Sequence, residues 1–217
     1  MTSVRLRKAG LRRIVCNLRT LTYFRAANAC RPRRTLAVCD ILHEMRLTRE
    51  LFAMVIANWL PRCQFFDRHR WLALRVGGCR VSRATIWAPF DVRPFGSLVN
   101  LSIGEGTFIN AGFRCGVPDG ALVVIGRDCA IGPNVSLETV NHGLRFDPAT
   151  GWTSKRAGIE IQDRVWIGSG SILLPGVIVG HDSVIAAGSV VTRSLPPFSL
   201  VAGVPAKLVR NLACDKK

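Results

Sequence analysis

The segment Ile161-Gln-Asp-Arg-Val-Trp-Ile-Gly-Ser-Gly-Ser-Ile-Leu-Leu-Pro-Gly-Val-Ile-Val-Gly-His-Asp-Ser-Val-Ile-Ala-Ala-Gly-Ser-Val-Val-Thr-Arg-Ser-Leu195 decides the fold. An aliphatic residue returns at every sixth position: Ile161, Ile167, Leu173, Val179, Ile185 and Val191. Small residues follow several of them, at Gly168, Gly180 and Ala186, and a second set recurs four positions on, at Val165, Ser171, Val177, Ser183 and Ser189. A 3.6-residue helix does not give this period, nor does a two-residue alternation. A chain that turns a corner every six residues does: each flat edge sends one aliphatic inward, and small residues let the backbone bend. The pattern predicts the hexapeptide form of the parallel β-helix.

The register extends upstream through Ile125, Ile131 and Leu137, through Ile103 and Ile109, and more weakly through Val81 and Trp87. Two interruptions break it. Arg114 to Val124 contains the turn signal Pro118-Asp119-Gly120, and Thr139 to Gly158 is a polar insertion between two good repeats. Insertions in a solenoid collect on one face and often carry function.

A chain of 217 residues with 48% hydrophobic content suits one domain plus an appendage. Its eight cysteines form no Cys-x-x-Cys pair, which argues against a disulfide framework or a structural zinc site and suits a reducing cytoplasm. The net charge of +16 is uneven: residues 1–34 hold nine Arg and one Lys with no acidic residue. That basic arm reads as a disordered extension or non-native leader, with attraction to an anionic lipid surface as the alternative. Nucleic-acid binding is not expected, because only Tyr23 and Phe24 are aromatic there and no nucleic-acid module follows. The longest apolar run, Leu51 to Leu60, is too short to cross a bilayer, and the start lacks a signal core. A cytoplasmic protein, with membrane association as the alternative, is the resulting expectation.

Residues 35–76 read as a helical extension. Leu36, Cys39, Leu42, Leu47, Leu51, Met54, Val55 and Trp59 fall near one face of a helix over Thr35–Leu60 that Pro61 closes. Asp67 is the expected N-cap of a second helix to Arg75, ended by Gly77-Gly78. Packing or association is the first reading of these helices. Trp59, Phe65, Phe66, Arg68, Arg70 and Trp71 keep a membrane-lying anchor open. The coil is expected over 77–212, with 213–217 as a tail.

Of four histidines, His43 and His69 fall in the helical region and His181 at a repeat corner. His142, in Glu138-Thr-Val-Asn-His-Gly143, opens the long insertion, where a coil edge and a covering loop would hold a functional histidine; an ordinary loop histidine is the bland alternative.

Six segments together resemble the hexapeptide-repeat acyltransferases: Ile125-Gly-Arg-Asp-Cys-Ala-Ile-Gly-Pro-Asn-Val135, Asn141-His142, Arg164-Val-Trp-Ile-Gly-Ser-Gly170, Leu174-Pro-Gly-Val177, Ala187-Gly-Ser-Val-Val-Thr-Arg193 and Val201-Ala-Gly-Val-Pro-Ala-Lys207. The resemblance covers about Val76 to Leu212. It lies closest to the maltose and galactoside O-acetyltransferases and to those of exopolysaccharide and capsule synthesis. It implies a mainly β fold, a left-handed parallel β-helix, assembled as a homotrimer that uses acetyl-CoA and no metal. It implies His142 as the general base that takes the proton of an acceptor hydroxyl. Asn110 is implied at the acceptor site, with Trp166 near it, serving equally well as coil packing; Asp147 is a further acceptor-site candidate, placed to orient His142. Backbone N–H near Ser169 is implied as an oxyanion donor and Ala187 as a contact to the pantetheine arm. Thr192, Arg193 and Arg210 are implied near the nucleotide, where a basic pair suits its phosphate; an ordinary exposed arginine is the alternative for Arg193.

The insertion reads Thr153-Ser-Lys-Arg-Ala-Gly-Ile-Glu-Ile161, without the Gly-x-Glu-Tyr-Gly stretch of the maltose-type enzymes. With the helical lead and Arg75-Val-Gly-Gly-Cys-Arg-Val-Ser82, this points to the polysaccharide-modifying branch and to a saccharide or glycan-precursor acceptor. N-acetylation of a small amine or antibiotic and a non-catalytic scaffold are the rivals. A γ-class carbonic anhydrase needs three histidine ligands, and the coil offers only His142 and His181.

Overall fold

The structure, a computed structural model, describes residues 33–215. The basic arm therefore lies almost wholly outside the described residues. The chain divides into two compact units, Met1–Glu44 and Met45–Lys217; of the first, only the opening turns of a helix are described.

The second unit is a three-sided parallel β-helix. Its first face stacks the strands Arg80–Val81, Leu101–Ile103, Val123–Ile125, Ile159–Ile161 and Ile178–Val179. The second stacks Thr85–Ile86, Phe108–Ile109, Ala130–Ile131, Trp166–Ile167, Val184–Ile185 and Ser199–Ala202, with Lys207–Asn211 closing it antiparallel. The third stacks Phe90–Arg93, Phe113–Gly116, Ser136–Glu138, Ile172–Leu173 and Val190–Val191. The six-residue period is one face, and three faces make a circuit, so Ile161 pairs with Val179 directly.

Register puts like on like inside the coil. Val81, Ile103, Ile125, Ile161 and Val179 form one buried column. Ile109, Ile131, Ile167, Ile185 and Val201 form the second, and Cys115, Leu137, Leu173 and Val191 the third. The earliest repeat differs from the sequence reading. Ile86, not Trp87, is the inward residue paired with Ile109, so the first edge is one residue shorter. Trp87 faces outward, edge-on to Phe108 with ring centres 5.2 Å apart and with Arg62 over its ring. Ser171, Ser183 and Ser189, buried at corners, hand their hydroxyls to carbonyls of Ala186 and Pro196, so the bends stay polar without orphaned groups.

Helix α1 spans Arg33–Trp59 and helix α2 spans Gln64–Gly77. The apolar face of α1 is mostly turned away from the coil, although Met54 packs against the core. Leu42, Leu51, Val55 and Trp59 are exposed, and the buried side carries Glu50, Ala53 and Ala57; for Leu36 and Cys39 only the backbone is described. Two polar side chains fix this inward side. The Glu50 carboxylate accepts N–H of Gly96 at 2.9 Å and of Leu98 at 3.1 Å. Asn58 brackets Phe90 as a neighbouring strand would, donating to its carbonyl at 3.0 Å and accepting its N–H at 2.8 Å. Small residues are needed because α1 and α2 touch: a Cβ on Gly77 would stand 2.6 Å from Cβ of Ala53. Asp67 is likewise not the N-cap of α2. Cys63 holds that position, and Asp67, in the first turn, is buried against Arg70. The C-terminal reading holds, with Gly78 in the left-handed region (φ 111) donating to the Arg75 carbonyl.

Among the described cysteines, Cys63 is exposed and Cys79, Cys115 and Cys129 are buried free thiols. Burial pushes the Cys79 thiol up to about 12, with Glu50 adding, and pushes Cys115 and Cys129 up as well. A thiol with a raised folded pKa contributes fully below its unfolded pKa, near 8.5, and the contribution fades as pH rises toward the folded value. Mass-mapped alkylation of native protein should therefore label Cys63 and spare these three. The urea midpoint should fall as pH climbs from about 8.5. Rapid native labelling of Cys115 would contradict this core.

Candidate active site

Outward residues of the second face also stack, and they make a hollow. Phe108, Ala130, Trp166, Val184 and Leu200 stand one above another in register. Ala130 is the short member between two aromatics, and the row is notched there. The notch opens into a hollow of about 540 Å3, walled by Phe108 and Trp166 and floored by the corner after the face: Asn110, Gly132-Pro133, Gly168-Ser169 and Ala186-Ala187. The corners stack so closely that side chains do not fit between them. A Cβ on Gly168 would lie 2.5 Å from the Ala187 nitrogen, and one on Gly132 2.8 Å from the Ser169 nitrogen. The N–H groups of Ser169 and Ala187 have no protein acceptor among the described residues. Asn110 turns its side-chain oxygen to the Ala111 N–H at 2.7 Å, which leaves its amide nitrogen available to a ligand. No side chain lining the hollow exchanges a proton near neutral pH.

The sequence-predicted residues thus separate into two groups. Asn110, Trp166, Ser169 and Ala187 come together in the hollow. Arg210 pairs across from Leu200 at its end. His142, Asp147, Thr192 and Arg193 do not join them. Thr192 and Arg193 are exposed at the corner that follows the third face. His142 stands at the same kind of corner, on a hairpin of Val140–Asp147 with Gly151–Arg156 that the insertion forms. The third face lies between that edge and the hollow.

His142 is exposed, opposite Ser154, with its N–H on the Asn141 side chain at 3.0 Å. Asp147 holds the hairpin turn instead of the histidine: its carboxylate accepts N–H of Ala149 at 2.7 Å and of Thr150 at 3.3 Å, and these bonds lower its pKa. Beyond His142 the pairing slips before Phe146, and Leu144 in the bulge is 99% exposed. Phe146 and Trp152 stand edge to face at 5.6 Å, both exposed. The hairpin presents an apolar tip that no described residue covers.

Sequence reasoning missed Phe108, Ala130 and Leu200. Their signal was present, as the residue just before each inward aliphatic, but a row of outward residues gains meaning only once the register is known. At the corner after the first face, His181 Nδ1 meets Asp182 at 2.7 Å and Arg164 grips the same carboxylate with two bonds of 2.7 Å, which holds Asp182 well below the usual carboxylate range. This is a clasp between neighbouring coils. Among the described residues no three His, Cys, Asp or Glu side chains cluster as metal ligands.

The coil and the hollow place this chain among known proteins. The family described as bacterial transferase hexapeptide (six repeats) matches residues 158–193. A hexapeptide-repeat-containing acetyltransferase from Vibrio cholerae is 31% identical, with 78% of this chain and 92% of that chain covered at a TM-score of 0.67. The same Vibrio protein was solved complexed with acetyl coenzyme A. A galactoside acetyltransferase in complex with coenzyme A is 29% identical, covering 78% and 82% at a TM-score of 0.65. The galactoside O-acetyltransferase of Escherichia coli is 36% identical over 113 residues, 52% of this chain and 55% of that one. The chain spans about half the length of the curated relatives it matches. The chain belongs to the hexapeptide-repeat acetyltransferases.

Proposed function

We propose that the protein is an acetyl-CoA-dependent O-acetyltransferase acting on a sugar hydroxyl of a polysaccharide or its precursor, working as a homotrimer. The observation that carries this reading is the notch at Ala130. It is an apolar slot with two unused backbone donors, Ser169 N–H and Ala187 N–H, at its floor. A thioester fits such a slot: the pantetheine arm lies against Trp166 and Ala187, and the acyl oxygen meets a fixed donor. Arg210, across from Leu200, belongs to the nucleotide end, where Arg suits phosphate; Thr192 and Arg193, on the kind of edge that carries His142, reach it from the neighbouring copy.

The slot lacks a base, and His142 stands on another edge. A second copy whose hairpin edge meets the second face supplies it, and the uncovered tip of Leu144, Phe146 and Trp152 gains a neighbour. The neutral imidazole takes the proton of the acceptor hydroxyl as its oxygen forms a C–O bond to the acyl carbon. The negative charge that develops on the acyl oxygen is held by the Ser169 N–H. The C–S bond then breaks, and the thiolate leaves with the proton carried by the imidazolium. Asn110 and Trp166 hold the saccharide at the slot mouth, and Asp147 shapes the hairpin that carries the base.

Purified protein with acetyl-CoA, screened by mass spectrometry against nucleotide sugars, lipid-linked saccharides, free sugars and small amines, tests the reading. A mass gain of one acetyl group on a saccharide is the expected result. Acetylation confined to amines, or none in protein that binds acetyl-CoA, would contradict it. Ala130→Trp, which fills the notch from the outside of the coil, should weaken acetyl-CoA binding by at least about tenfold in calorimetry without changing the melting temperature.

A further inference from the structure

The outward side of α1 is built for contact. At about 100° per residue, Met45, Phe52, Val55, Ile56 and Trp59 fall on the side opposite Glu50, Ala53 and Ala57. The stripe runs about 21 Å along the helix. All five are exposed, Trp59 to 82%. Large apolar side chains in a line on one helix mark an interaction surface, not ordinary surface scatter. Helix α2 adds Phe65, Leu72 and Val76, also exposed.

From Met45 to Arg83 the exposed charge is of one sign, with the exposed Glu44 just before it. Between Met45 and Arg83 the acidic residues are Glu50 and Asp67, and both are buried. The exposed charges there are Arg49, Arg62, Arg68, Arg75, Arg80 and Arg83. Residues 1–34 add ten positive charges and no negative one. Two copies meeting through this surface would set arginine against arginine. An anionic bilayer satisfies both features: its headgroups attract the arginines and its acyl boundary takes the apolar stripe. Among the described residues no helix is long and apolar enough to cross a membrane, so the contact is with the surface.

We propose that the Met45–Trp59 side of α1, with the arginines around it, docks the protein on an anionic lipid bilayer. The contact is independent of which hydroxyl the site acetylates.

Co-flotation of the full chain with vesicles tests this. Vesicles of equal parts phosphatidylglycerol and phosphatidylcholine should carry the protein, vesicles of phosphatidylcholine alone should not, and added salt should release it. The double variant Phe52→Glu, Trp59→Glu should bind the anionic vesicles roughly tenfold more weakly or worse. Arg49→Gln and Arg68→Gln should each cost roughly fivefold. These side chains are exposed, so melting and acetyl-CoA binding should be unchanged, which separates a lost contact from a lost fold. Failure of the parent to float, or equal flotation of parent and double variant, would overturn the proposal. So would a double variant that changes the sedimenting mass, since that would assign the stripe to contact between copies.

Discussion

Replacing His142 by alanine is expected to lower turnover roughly 100-fold or more while acetyl-CoA affinity stays within error of the parent. On the proposed reading the donor lies in the hollow against Trp166, Ser169 and Ala187, and none of these lies on the hairpin of its own chain. Binding and proton transfer therefore rest on different parts of the coil. The ring of His142 is exposed at the hairpin base, so alanine there removes no core contact and should leave the melting temperature unchanged. Steady-state kinetics with a saccharide acceptor, alongside calorimetry with acetyl-CoA, measures both halves. Near-parental turnover in a folded variant would remove His142 from the mechanism.

The second large effect concerns stability. Arg70→Met is expected to destabilise the fold by roughly 3–5 kcal/mol. Arg70 is fully buried and its guanidinium ties off the end of α1. Nε donates to the Ala57 carbonyl at 2.6 Å, Nη1 to Asp67 and to the Ile86 carbonyl, and Nη2 to the carbonyls of Leu60 and Pro61. Those carbonyls include ones that a helix end leaves without partners. Methionine would strand them together with the buried Asp67 carboxylate, and an unpaired buried charge is the costliest part. The double variant Asp67→Leu, Arg70→Met should recover part of the loss, because it removes the stranded charge and leaves only the neutral carbonyls. Urea midpoints of the two variants measure this, and a loss under about 1 kcal/mol for the single variant would contradict it.

The coil was legible because one period fixed three things at once: the inward column, the corner and the face. Ile161 to Val191 read correctly since every turn obeys the same count. The period failed at Trp87, where the first edge is short and Ile86 takes the inward place. The helical lead was legible as a helix, but not the side by which it meets the coil. The spacing showed an apolar face but not what it meets; α1 meets the coil through Glu50 and Asn58, which bond to backbone that a coil end exposes, and buries the small Ala53 and Ala57 on that side. Arg70 was grouped with the residues of a membrane-lying anchor, and it is instead fully buried, where several carbonyl partners hold it.

Half of the candidate site was legible. The resemblance named Asn110, Trp166, Ser169 and Ala187, and the register brings them together. The notch itself was not legible, because Ala130 is informative only beside Phe108 and Trp166. Sequence also could not show that His142 and the hollow lie on different edges of the prism.

Two inactive variants mixed together test the shared site most directly. Ala130→Trp keeps His142 but blocks its own notch; His142→Ala keeps the notch but lacks the base. If each site takes its notch from one copy and its base from the next, equal amounts mixed, dissociated and reassembled should regain about a quarter of parental acetyltransferase activity, the fraction of random contacts with both parts intact. No activity above that of the two variants alone, in a mixture shown by mass spectrometry to hold mixed assemblies, would contradict a site built between copies.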